Sequence, residues 1–250
     1  SCSLVGSEMC IRDRLYVAVR RFIVENPICA VEKMSEFKME HCQDFKMINK
    51  IFSEAYENVP NGSYLCPKCG WTMTFYGAQA QCCNKSCLKN IPKKDDLKPL
   101  RFQDGNWRLR HGVMRYMCLP GQLELKIQKI AEKCGCGAEL WPDRDKYDVK
   151  ITLPDGQVWA IDAKTHRNPY MLKKSIENDY VFTHTKAQKV FYVVPDDCLT
   201  DYPDYCKICN DALASSFPDS IAKCVSMRIF SKELKGEVED VKLRNYQKKS

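Results

Sequence analysis

Apolar residues recur at three- and four-residue intervals early in the chain, as at Leu15, Val19, Phe22 and Ile23, the spacing of one buried helix face. The pattern breaks at Pro27 and again at the turn cluster Asn58, Val59, Pro60, Asn61 and Gly62. A helical segment is therefore expected over 15–62. From about 107 the pattern alternates between helix and strand periods. A helix fits 121–134, and strands fit 138–142, 147–153 and 157–164. A helix at 169–178, a strand at 189–194, a helix near 204–215 and a strand at 225–231 follow, then a charged helix or tail. Such alternation predicts an α/β domain over 107–250. Between the two regions lie a cysteine-rich stretch, 63–90, and a polar connector, 91–106, rich in Lys and Asp and carrying Pro92 and Pro99.

Residues 1–14 read as foreign. The string from Glu8 to Arg14 resembles a translated sequencing-adapter sequence, so native sequence is expected to start near Leu15, with the helical segment truncated. Cys2 and Cys10 then carry no function. No apolar run approaches the roughly 18–20 residues that span a bilayer, and no export signal is visible, so a cytoplasmic protein without a membrane partner is expected. That compartment changes the meaning of the 16 cysteines: close pairs point to metal rather than to disulfides. The net charge of +7 suits a phosphate-bearing partner without establishing one.

Cys66 and Cys69 form a C-x-x-C knuckle followed by Gly70, and a second pair follows after a short hairpin-like stretch. Cys83 with Cys87 is the preferred second pair, and Cys82 can replace Cys83. Four thiolates complete a closed tetrahedral site, so this stretch reads as a structural zinc ribbon. So short a segment buries little apolar surface, and metal would supply much of its folding energy. Cys134, Cys136, Cys206 and Cys209 are expected as buried free thiols.

Val149, Ile151 and Leu153 alternate with Asp148, Lys150 and Thr152, the period of a strand with one buried face. Pro154, Asp155 and Gly156 form a turn, after which Trp159, Ile161 and Ala163 alternate with Ala160, Asp162 and Lys164. A three-residue turn centred on Asp155 sets Val149 against Ile161 and Ile151 against Trp159. It places Asp148 opposite Asp162 on the other face, with Lys164 beside them. Directly opposed side chains sit roughly 4.5–5.5 Å apart at Cβ. Two carboxylates that close repel unless a cation lies between them. Oxygen ligands favour a hard ion, Mg²⁺ or Mn²⁺.

Asp148 followed by Asp162-Ala163-Lys164 resembles the PD-(D/E)XK motif of restriction-endonuclease-like nucleases, and the order helix, three strands, helix, strand agrees with that fold. The resemblance implies an α/β restriction-endonuclease-like core, a mixed sheet flanked by helices, preceded by the zinc ribbon and the helical segment. It also implies an Mg²⁺-dependent deoxyribonuclease. Family members often carry an acidic residue on the first core helix. Glu124 fits that position as a third metal ligand. Asp143 and Asp145 are competing carboxylates, but the Pro142-Asp143 pair is out of register with Asp162.

More narrowly, residues 63–195 are similar to zinc-ribbon-bearing, restriction-endonuclease-related proteins of prokaryotic defence islands, including those beside PIWI-like genes. Trp141-Pro142 and Asn168-Pro169 carry that likeness. DNA and other defence-system proteins are the implied partners. His166, Arg167, Lys173 and Lys174 follow the motif and are candidates for phosphate-backbone contact, as are Lys186 and Lys189. The alternative is a catalytically inactive module of the same fold that binds nucleic acid or a partner.

Overall fold

The computed structural model of the chain describes residues 2–88, 93–100 and 105–247. Pro92 of the expected connector, Lys248 and Lys249 of the tail and the side chain of Asp143 lie outside the described residues. The chain divides into two units, Ser1–Gln122 and Leu123–Ser250.

The N-terminal unit opens with one helix, Cys2–Glu25, unbroken at Leu15. Strand β1 (Ile28–Ala30), helices Val31–Glu40 and Phe45–Ala55, and strand β2 (Tyr56–Asn58) follow. Strands β3 (Ser63–Leu65), β4 (Thr72–Tyr76), β5 (Gln79–Gln81) and β6 (Pro99–Leu100) make an antiparallel sheet in the order β5-β4-β3-β6. Strand β7 (Asn106–Leu109) lies between β1 and β2 in a second antiparallel sheet.

The expected connector is therefore no simple spacer. Pro99 pairs with Tyr64, and Asn106 pairs with Ala30. Residues 107–109, expected in the C-terminal domain, belong to the N-terminal sheet, and the second unit begins at Leu123. Strands of two to four residues are too short to display their period, which is why the sequence hid them.

One core serves the helices and the cysteine stretch alike. Phe22, Ile48, Phe52 and Leu109 pack in the same buried cluster as Trp71, Met73, Cys66, Cys69 and Cys87. The Trp71 indole N–H donates to Leu109 O at 2.8 Å. The Arg108 guanidinium lies 4.9 Å from the Trp71 ring and reaches Glu57 at 2.6 Å.

Gly121 shows how tightly this unit is packed. A Cβ there would come within 2.9 Å of Val24 Cγ1 and closer still to Cγ2, and Val24 is only 1% exposed. Gly121→Ala is expected to cost about 1–3 kcal/mol, the usual range for overpacking, despite alanine's better helix propensity. A thermal melt checks this; an unchanged midpoint would show that the two helices can part.

In the C-terminal unit the sheet order is β12-β11-β10-β9-β8, with β8 (Gly137–Leu140), β9 (Val149–Thr152), β10 (Val158–Ala163), β11 (Lys189–Val194) and β12 (Ala222–Ser226). The first three strands run antiparallel, and the last three run parallel. Parallel neighbours need crossovers. Helix Pro169–Ile176 lies between β10 and β11 in the chain, and helix Tyr205–Ser216 between β11 and β12. The β9–β10 register is the expected one, Val149 opposite Ile161 and Ile151 opposite Trp159, with Gly156 supplying the positive φ of 87° at the turn.

β9 has the expected single buried face, with Val149 and Ile151 buried and Lys150 and Thr152 only partly so. β10 and β11 are covered on both sides. Ala160, Val190, Tyr192 and Val194 share a core with Leu172, Ile176, Cys209 and Leu213 of the two crossover helices. On the opposite face Phe191 meets Trp159 and also Phe230 of helix Met227–Gln247, with ring centroids 5.2 and 5.7 Å away. The near-continuous apolar run of β11 is the sequence mark of such a strand.

The expected strand 225–231 is also corrected: β12 ends at Ser226, and a helix begins at Met227. Ser226 Oγ accepts the Ile229 N–H at 3.4 Å, and Phe230, Leu234, Val238 and Val241 then bury one helical stripe. Among the described residues no helix is long and apolar enough to cross a membrane.

Candidate active site and metal centre

In the N-terminal unit the sulfurs of Cys66, Cys69, Cys82 and Cys87 all lie within 4.8 Å of one another. Cys83 is not in this group. The preferred second pair is thus replaced by its alternative. Cys82 follows directly on β5, and its sulfur is 3.6 Å from that of Cys69. Both side chains are half-buried against the same core, but only the Cys82 sulfur joins the other three. Tetrahedral zinc with bonds of about 2.3 Å would hold sulfurs ~3.8 Å apart, so the spacing and the all-thiol donor set fit a closed structural site.

Gly70, at φ 70°, returns its N–H to Cys66 O at 2.9 Å, which closes the knuckle. Thiols this close share protons. The hydrogen bond from Cys69 is the first of the influences that bring Cys66 down to about 6, and Cys82 is lowered too, first by Cys66. Cys69 and Cys87 are pushed up in return, each first by its hydrogen bond with Cys66, so without a metal the four sulfurs divide the remaining protons among them.

Cys134, Cys136, Cys206 and Cys209 do not assemble into a second such group among the described residues. Cys136 and Cys209 are buried as expected, and the Cys209 thiol faces Pro169 O, whereas Cys134 and Cys206 are only half-buried.

In the C-terminal unit Asp162 sits on β10, 8% exposed, in register with Tyr192 of β11. Its Oδ2 lies 2.6 Å from Lys164 Nζ. Burial pulls the lysine pKa down, but Asp162, with Asp148 and Asp179 behind it, outweighs that and the net shift is upward, so Lys164 stays an ammonium. Its charge also lies over the Tyr192 ring, 5.9 Å from the centroid, and the Tyr192 hydroxyl donates to Asp179 at 2.9 Å.

Asp148 stands immediately before β9. Its N–H donates to Ile161 O at 3.1 Å, and its Oδ2 accepts the Ala163 N–H at 2.7 Å. Its carboxyl is pushed well above the ordinary 3.8, first by burial and then by the charges of Asp162 and Glu124, against the pull of the Ala163 amide.

Glu124, on helix Leu119–Lys133, is 1% exposed and accepts the Trp141 indole N–H. Asp162 on the hairpin and Glu124 on the helix therefore both bear on Asp148. They are looser than the thiols: no acidic trio among the described residues gathers within 4.8 Å. An all-oxygen donor set with an excess of negative charge fits a hard divalent cation.

The expected phosphate contacts divide. Arg167 is engaged by Asp197 at 2.9 Å and by Asp201. His166 is held below the ordinary histidine pKa, first by partial desolvation and then by the Lys164 ammonium, so at neutral pH it offers a hydrogen bond and no charge. Lys173 lies 3.8 Å from Glu177 on the exposed side of helix Pro169–Ile176, and Lys174 is exposed on the same helix. Asn168 caps that helix by accepting the Tyr170 N–H at 2.9 Å, with Pro169 at its first position. Lys189 is committed to Glu237 at 2.6 Å. Asp145 is exposed. Asp179 and Tyr192 went unremarked in the sequence because no motif marks them.

The raised Asp148 carboxyl has a testable consequence. A group whose folded-state pKa is raised stabilises the fold fully below its ordinary value, and that support is lost as pH rises through the folded value. With chelator present at neutral pH, Asp148→Asn should raise the melting temperature by roughly 2–4 °C, the shift that about 1 kcal/mol gives in a chain of this size. The gain should vanish below pH 3.8. A variant that melts lower at neutral pH would contradict the repulsion.

The C-terminal sheet thus brings buried Asp162, the Lys164 ammonium and Asp148 together on one hairpin. A family model described as "REase associating with pPIWI_RE" matches residues 121–241, just under half of the chain. This supports a restriction-endonuclease-related, PIWI-associated family for the C-terminal unit. No curated protein and no solved structure matches the chain.

Proposed function

We propose that the C-terminal unit is a metal-dependent endonuclease that hydrolyses DNA phosphodiester bonds, with a PD-(D/E)XK site made of Asp148, Asp162, Lys164 and Glu124. The observation that carries the reading is the hairpin: buried Asp162 contacts Lys164 at 2.6 Å, beside an Asp148 carboxyl that Asp162 and Glu124 raise. Asp148, Asp162 and Glu124 would hold Mg²⁺ or Mn²⁺. When bound, such an ion lowers the pKa of a water and draws charge from a phosphoryl oxygen. Lys164, already protonated, cannot act as the base. It donates from Nζ to the phosphoryl oxygens as charge builds on them and helps to orient the attacking water.

Zinc at Cys66, Cys69, Cys82 and Cys87 is structural in this reading and takes no part in hydrolysis. The family description, a restriction endonuclease that associates with pPIWI_RE, favours DNA as substrate and a pPIWI-type protein as partner; a cytoplasmic role in prokaryotic defence completes the reading. Lys173 and Lys174 are the cations of the set best placed to meet a phosphate backbone, since Arg167 is held by two carboxylates.

A substrate panel tests the reading. The protein is incubated with duplex DNA, single-stranded DNA and RNA, first in chelator and then with Mg²⁺ or Mn²⁺ restored. Cleavage of DNA that depends on the added ion is expected. Preferential cleavage of RNA would overturn the substrate. Metal binding without any cleavage, even with the partner present, would favour the inactive binding module.

A further inference from the structure

Trp141 lies outside the carboxylate–lysine constellation, yet it touches both of that constellation's outer arms. Its indole N–H donates to Glu124 Oε2, and both side chains are buried. Its backbone N–H donates to Asp148 O at 2.8 Å. Its φ is 51°, a left-handed conformation that a bulky residue keeps only where its surroundings hold it there. The conformation turns the chain from β8 into the short helix Pro142–Asp145, just ahead of Asp148. One residue thus joins the helix that carries Glu124 to the strand that Asp148 begins.

We propose that Trp141 is a positioning residue for the metal-binding carboxylates, its indole N–H fixing Glu124 while its main chain fixes Asp148. This rests on the nuclease reading and deepens it. A buried carboxylate with an N–H directed at one oxygen is held in one orientation. Outer partners of this kind commonly contribute 10- to 100-fold in metal affinity. Phenylalanine removes the donor together with part of the ring, so its effect must be separated from a change in packing at this buried position.

The test is Mn²⁺ titration by calorimetry on the full, zinc-loaded chain, for wild type, Trp141→Phe, Glu124→Gln and the double variant. Trp141→Phe should weaken Mn²⁺ binding about tenfold or more in the wild-type background. In the Glu124→Gln background it should add little, because the group it positions has already lost its charge. Equal losses in both backgrounds would mean that Trp141 acts through packing alone and would overturn the proposal, as would no loss at all.

Should Trp141→Phe fold poorly, benzothienylalanine at position 141 keeps the bicyclic shape with sulfur in place of the N–H. It should give the same loss, and unchanged affinity would again overturn the proposal. A wild type that binds no Mn²⁺ would instead remove the nuclease reading itself, and this proposal with it.

Discussion

Lys164→Met should lower the DNA cleavage rate by about a hundredfold to a thousandfold, the usual cost of losing one donor to transition-state charge. The substitution keeps much of the aliphatic stem beside Tyr192 and removes the ammonium that contacts Asp162 at 2.6 Å. Metal affinity should hold or rise, because a positive charge next to the carboxylates opposes a cation. Rate and affinity therefore move apart. Breaking a buried pair by removing one partner also costs about 3–5 kcal/mol, so rates should be read well below the variant's melting temperature. Parallel falls in rate and affinity would recast Lys164 as a residue that organises the metal site rather than one that acts on phosphate.

Cys82→Ser should abolish zinc binding, whereas Cys83→Ser should leave one zinc per chain. The two cysteines are sequence neighbours, yet only Cys82 joins the sulfurs of Cys66, Cys69 and Cys87. Structural zinc contributes apparent binding free energies of about 10–16 kcal/mol in small peptides, so its loss is severe. The cysteines share a buried cluster with Phe22, Ile48 and Phe52. The loss should therefore loosen the whole N-terminal unit, measured as protease sensitivity within residues 15–110. Elemental analysis provides the stoichiometry. Retention of zinc by Cys82→Ser and its loss from Cys83→Ser would invert the ligand assignment.

The hairpin was legible in the sequence because two constraints coincided. A turn around Asp155 and the alternation on either side each imply the same register, and Val149 does oppose Ile161. What could not be read was set by distant residues. Arg167 looks like a free cation until Asp197 and Asp201, thirty or more positions away, close on it. Cys82 and Cys83 are indistinguishable by spacing alone; the path of the chain leaving β5 selects between them.

Asp162 is left only 8% exposed on β10, a strand whose Ala160 shares a core with the crossover helices, and no local pattern in the sequence marks that burial. That burial is what turns an ordinary carboxylate pair into a strongly interacting one. β12 was read too far along because Val225, Ile229 and Phe230 are apolar, although Ser226 already caps the helix that follows.

The most direct measurement is the plasmid-nicking rate of wild type and of Asp162→Asn, side by side across an Mg²⁺ titration. The amide keeps the size of the side chain and removes the charge that binds both the ion and Lys164. Wild type should nick only with the ion present, and Asp162→Asn should be slower by about a hundredfold or more at every concentration, with weaker metal binding. Equal nicking by the two proteins, or wild-type nicking that persists in chelator, would contradict the assignment of this hairpin as a metal-dependent nuclease site.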